Sequence, residues 1–258
     1  MIYRIKEVYL YRSMLWSLIL SELRTRYRGS VLGFLWTFVN PLLMLIVYTL
    51  VFSLVMRIKL PHYSAFLFIG LLGWNMFAAA AQSSSSVVLR QASMVKKIYF
   101  PREILPLSVV GGSMFNYIFS LVILLPYLAV TGYFPSVIWL YLPLILLVET
   151  IMTAGFSLIF SAVNVYFRDL EHMLGIFIMA WFYVTPVVYP ITMIPHKYAQ
   201  LFKLNPVTDI IVSFQDVLYY HQPMQWKMFF YGTIFSIVLL VVGWQLFAKL
   251  SKRFAEEV

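Results

Sequence analysis

SLILSELRTRYRGSVLGFLWTFVNPLLMLIVYTLVFSLVM, residues 17–56, changes solvent partway along its length. On a helix, Leu15, Ile19, Leu23 and Tyr27 recur every four residues as one apolar stripe, while Ser17, Ser21, Arg24 and Arg28 fall on the other face. Such a helix lies on a membrane surface with its arginines at phosphate level, and Glu22, four residues before Arg26, makes the favourably oriented pair. The expectation is an interfacial helix over residues 13–30. From Gly29 to Met56 no residue is charged, and the run exceeds the ~20 apolar residues that cross a hydrocarbon core. Residues 31–56 therefore read as a first span. The arginines ahead of it admit two readings: a positive flank that orients the span, or a site for an anionic substrate beside a helix N-terminus.

Composition extends the membrane reading to the whole chain. Hydrophobic residues make up 62% and charged residues 11%, against about 25% charged in soluble domains. An all-α integral membrane fold follows, organised as one domain over 1–258. A net charge of +9 points to nucleic acid in a soluble protein, but here the basic residues are divided among loops between apolar runs, so no nucleic-acid partner is expected. The chain has no cysteine, which excludes disulfides and thiolate metal sites. The N-terminal MIYRIKEVYLYRS has scattered charges and no apolar run before a small-residue cleavage site, so no removed signal peptide is expected.

Further spans are expected at 64–89, 104–130, 137–163, 173–189 and 228–248. Residues 82–90, QSSSSVVLR, are polar at the end of the second span, and the connection from Arg90 to Pro106 is too polar to lie in lipid. The third and fourth spans form a hairpin about the turn TGYFPS, residues 131–136. Glu149 stands inside the fourth span, where a carboxyl group is expected to be neutral and bonded to a neighbouring helix. Pro186 and Pro190 end regular helix in the fifth. Between them and Lys227, Asn205 reads as an N-cap ahead of Pro206, and Ile210, Ile211, Phe214, Val217 and Leu218 give a helical stripe too short to span. Residues 191–223 are expected to dip into the interface and return. Six spans put both termini on one side with all Lys and Arg residues except Arg57, Lys59, Lys197, Lys203 and Lys227, and the positive-inside rule makes that side cytoplasmic.

Chemistry-bearing constellations are sparse. His62, His172, His196 and His221 sit in different loops without metal-ligand spacing, so no metal site is expected. No catalytic residue stands out; Arg168, Asp169, Glu171 and His172 form only a loose cluster. No G-x-x-x-x-G-K-[ST] loop is present, so ATP must be handled by another chain. Aromatic clusters, Tyr48 with Phe52 and then Trp181, Phe182 and Tyr183, read either as helix packing or as the lining of a path for sugars, whose faces stack on flat rings.

RTRYRGSVLGFLWTFVNPLL (24–43), MVKKIYFPREILP (94–106), NVYFRDL (164–170) and WFYVTPVVYP (181–190), followed by IP and LNP, resemble the successive motifs of transmembrane subunits of type-2 ABC exporters. Within that group they are similar to the permeases for O-antigen, teichoic acid and capsular polysaccharides. The resemblance implies a homodimer in the inner or plasma membrane, with two copies of a separate ATPase that carries ATP and Mg, this chain holding no cofactor. It implies outward movement of an undecaprenyl-pyrophosphate-linked polysaccharide. Met94, Val95, Lys96, Lys97, Ile98, Tyr99, Phe100, Pro101 and Arg102 would then be the coupling helix seated in the ATPase. Leu32 and Gly33, with Arg24, Arg26 and Arg28, would lie at the lipid-pyrophosphate entry, and Asn205 to Tyr220 would form the outer gate. Other classes are an exporter of a drug or small lipid with the same architecture, a membrane enzyme acting on lipid-linked sugars, and a proton-coupled transporter using Glu149.

Overall fold

The computed structural model describes residues 2–25, 29–51 and 60–257. Its helices are α1 (Ile2–Leu10), α2 (Arg12–Thr25), α3 (Trp36–Thr49), α4 (Tyr63–Ser85), α5 (Val87–Arg90), α6 (Ala92–Lys97), α7 (Ile104–Val130), α8 (Leu142–Tyr166), α9 (Leu170–Val184), α10 (His196–Lys203), α11 (Pro206–Leu218), α12 (Trp226–Leu250) and α13 (Phe254–Glu257). There is no strand among the described residues. α4, α7, α8 with the turn ahead of it, and α12 are long and apolar enough to cross a membrane; α9 and the described part of α3 are shorter apolar helices. Residues 52–56, the end of the expected first span, lie outside the described residues.

Several boundaries differ from the sequence expectation for local reasons. The surface helix begins at Ile2 rather than residue 13, because α1 and α2 run on through Tyr11, whose N–H bonds to the Glu7 carbonyl at 3.1 Å. α9 stops at Val184, not 189: Thr185 is extended (φ −110°, ψ 134°), as the ring of Pro186 requires of the residue before it. The segment 94–102 is helical only to Lys97, where Ile98 turns extended (φ −128°, ψ 137°) on the way to Pro101.

At the centre stands α11, every one of its 13 residues buried. At 1.5 Å per residue it is ~20 Å long, short of a hydrocarbon core, and α4, α8 and α12 enclose it. The expected cap is present: Asn205 Oδ1 accepts from Val207 N at 3.1 Å and from Trp181 Nε1 at 3.0 Å. The irregular chain after α9 is satisfied from its neighbours, as unwound backbone in an apolar setting must be. Gln215 Nε2 donates to Pro186 O at 2.9 Å, and Tyr63 Oη donates to Val188 O at 2.7 Å.

Glycines set the closest approaches. A Cβ on Gly155 of α8 would lie 2.9 Å from backbone atoms of α12, and one on Gly243 of α12 would lie 2.6 Å from the Gly155 carbonyl oxygen. The two backbones touch there, as small-residue packing between apolar helices permits. α2 is seated similarly on α7, with buried Ile19 filling the notch at Gly111. The apolar stripe of the surface helix thus packs on protein at Ile19.

At the end of the molecule away from both termini, the turn after α7, the start of α4 and the chain after α11 converge on Tyr133. Its ring stacks on Tyr219 at 5.3 Å and meets His62 at 5.7 Å and His221 at 5.5 Å. Both histidines have left-handed backbones, φ +46° and +50°.

Candidate functional site

Between α3, α4 and α9 lies a groove of about 620 Å³. Its walls include Val47, Leu71, Trp74, Asn75, Phe182 and Tyr183, and among the described residues no charged side chain lines it. Trp74 meets Phe182 edge to face at 5.5 Å, and Tyr183 is 64% exposed. Of the three consecutive aromatics, Phe182 and Tyr183 face the groove and Trp181 does not. Neighbouring residues on a helix point about 100° apart, so three in a row cannot share one face. Trp181 instead packs on Phe77 (5.2 Å), Phe156 (5.4 Å) and Phe177 (5.1 Å), and donates to Asn205. The Tyr48 side chain and all of Phe52 lie outside the described residues. Sequence reasoning missed Trp74 and Asn75, which carry no signal among so many apolar and aromatic neighbours.

The second element of the site is the turn between α2 and α3. Gly29 (φ +79°) and Gly33 (φ +48°) adopt left-handed backbones that only glycine holds without strain. Gly33 N–H bonds to Ser30 O at 3.1 Å, and Trp36 Nε1 donates to Ser30 Oγ at 2.7 Å. Leu32 is thereby left 41% exposed at the tip. Arg24 is exposed in the last turn of α2; Arg26 and Arg28 fall outside the described residues.

The third element is at the end that carries both termini. Val95 and Phe100 are buried and anchor the segment after α5 into a cluster with Phe247 and Phe254. Between these anchors Lys96, Lys97, Ile98 and Tyr99 stand exposed, giving a basic and apolar face with its backbone fixed from behind. Tyr99 Oη lies 3.1 Å from Glu7 Oε1 of α1. The Arg102 guanidinium donates to Ser251 O and sits 6.0 Å over the Phe254 ring. The chain's C-terminal segment thus braces this face. A cleft of about 430 Å³ beside it is lined by Glu7, Tyr99, Arg102, Glu103 and Lys252 among others.

Other candidates resolve as follows. Glu149 is buried in α8, and its Oε2 has no hydrogen-bond partner among the described residues, so the expected bond to a neighbouring helix is not made by that oxygen. Arg168 and Asp169 are exposed on the connection into α9, while Glu171 N–H donates to Asn164 Oδ1 at 3.1 Å. That arrangement caps a helix start and converges on no common point. No group of three metal-ligating side chains occurs among the described residues.

Against known proteins, residues 13–219 match the ABC-2 type transporter family. The chain is 35% identical, over the full length of both, to the O-antigen export system permease protein RfbA of Myxococcus xanthus. It is 38% identical to a Klebsiella pneumoniae protein of the same name, over 91% of each chain. It is 23% identical to the polysialic acid transport protein KpsM of Escherichia coli, over 90% of this chain and 91% of the other.

Proposed function

Because the chain belongs to the ABC-2 type transporter family, we propose that it is the permease subunit of an exporter of an O-antigen-type polysaccharide. The observation that carries this is the likeness to O-antigen export permeases, full-length for one and over 91% of each chain for another, and the aromatic groove gives it a physical basis. Flat rings bury the apolar faces of successive sugars without demanding a particular linkage, and an uncharged wall lets the chain slide where fixed charges would hold it.

In this reading two copies of the chain flank the path. Each docks a separate ATPase on the exposed face of Lys96, Lys97, Ile98 and Tyr99, at the cytoplasmic end, and ATP and Mg are bound by that partner. The glycan's carrier lipid is undecaprenyl pyrophosphate. Its diphosphate enters where Arg24, Arg26 and Arg28 precede the turn at Leu32 and Gly33, since guanidinium forks are the donors a diphosphate needs. The glycan then leaves past α11 and the chain around it, the outer gate.

Co-expression with the cognate ATPase in a cell lacking its own O-antigen permease tests this reading. Restored surface polysaccharide is the expected result. An assembled, ATP-hydrolysing complex that restores none, while extruding small amphiphiles, would transfer the chain to drug or lipid export.

A further inference from the structure

A second cavity, of about 250 Å³, lies between α3, α4 and α7. Its polar lining includes Thr37, Asn40, Asn75, Ser113, Asn116 and Tyr117. Four of these present buried atoms with no hydrogen-bond partner among the described residues: Thr37 Oγ1, Ser113 Oγ, Asn116 Oδ1 and Tyr117 Oη. Thr37, Ser113 and Tyr117 are only 3%, 2% and 3% exposed. Buried hydroxyl and amide groups are normally paired, and four orphans from two helices around one space mark a place where something else supplies the partners.

The chemistry of the lining narrows what that is. Among the described residues no Lys, Arg, His, Asp or Glu borders the cavity, so a carboxylate or phosphate inside it would find no neutralising partner there, at high desolvation cost. Hydroxyls and amides both donate and accept, which is what the hydroxyls of a sugar do. Pro41, Leu72 and Met76 also belong to the wall, apolar surface for the CH face of a ring. Asn75 borders both this cavity and the aromatic groove, with its Nδ2 3.4 Å from Met44 Sδ, so the cavity opens beside the groove.

We propose that this cavity is a subsite for one uncharged sugar ring of the translocating glycan, and that it favours neutral over acidic stretches of the chain. The inference rests on the permease reading above. It assigns specificity to a place on α7, behind the groove, rather than to the aromatic rings.

The absence of native cysteine permits a direct test in the full permease–ATPase complex. Ser113→Cys is nearly isosteric, and its modification by methyl methanethiosulfonate is timed with maltotriose, with trisialic acid and with neither. Several-fold slowing by maltotriose alone is the expected result. Equal slowing by both, slowing by neither, or a thiol the reagent never reaches would each overturn the subsite. Asn116→Leu, which keeps volume and removes the amide, is expected to lower export of a neutral glycan several-fold in an assembled complex; unchanged export overturns the assignment. A wild-type complex that exports no glycan defeats the permease reading itself, whereas wild-type export with an indifferent cavity defeats only the subsite.

Discussion

His62 and His221 occupy the left-handed region that disfavours any side chain with a Cβ, and each gains in return an edge or tilted contact with Tyr133. Strain of this kind is of order 1–3 kcal/mol per residue. Replacement by glycine removes it together with the ring contact, so His62→Gly is expected to change stability by less than about 1 kcal/mol. His62→Val, β-branched at positive φ, is expected to destabilise by about 2 kcal/mol more. Thermal unfolding in detergent checks the order, and a Val variant as stable as the Gly variant would contradict it. The aromatics divide just as sharply. Phe182→Leu is expected to slow export several-fold in a normally assembled complex, because the groove loses a flat face. Trp181→Leu removes packing and the Asn205 bond together and is expected to lower stability by about 2–4 kcal/mol. Both are read by pairing export with the yield of folded complex. At this scale the sequence was legible only in part. Aromatic residue types left packing and a sugar path both open, and which of three adjacent rings faces the groove depends on the azimuth of α9, which packing sets.

The segment from α6 to Arg102 shows how an element is read and misread. Its polarity placed it outside lipid, yet its helix is one and a half turns followed by extended chain, since Pro101 and the burial of Phe100 decide the path. Reversing charge with Lys96→Glu and Lys97→Glu is expected to abolish stimulation of the ATPase and glycan export while the membrane bundle stays folded, because charge reversal at a docking face spoils register. Unchanged stimulation would remove the docking assignment. Changing Arg24, Arg26 and Arg28 together to lysine keeps the positive flank and loses the bidentate fork. Insertion and orientation should persist, while titrated undecaprenyl-pyrophosphate lipid binds several-fold more weakly. Equal affinities would leave these residues as orientation signals. The cap at Asn205 marked the start of α11 and the turn residues marked the α7–α8 hairpin because those signals are local, whereas the expected end of the fifth span overshot α9 by five residues, past Pro186. The start of the surface helix was missed although α1 is itself amphipathic, with Ile2, Ile5 and Tyr9 recurring at helical spacing.

Across the whole molecule, composition alone declared the all-helical membrane fold, since lipid leaves little else possible for a chain this apolar. The enclosure of α11 was not legible. Its stripe of Ile210, Ile211, Phe214, Val217 and Leu218 predicted one buried face, whereas the bundle also buries Asp209, Ser213, Gln215 and Asp216 on the other. In lipid the polar face of a helix turns inward, and amphipathicity ceases to say which side meets solvent. The polar cavity was invisible for a related reason: Thr37, Asn75 and Asn116 are far apart in sequence and coincide only in the folded bundle. The contact of Gly155 with Gly243 carries a mechanical consequence. With main chain against main chain there is no side-chain layer to act as a bearing, so α8 and α12 can neither slide nor roll past each other without losing their fit. Motion within the bundle is expected instead at α3 and α9, which border the groove.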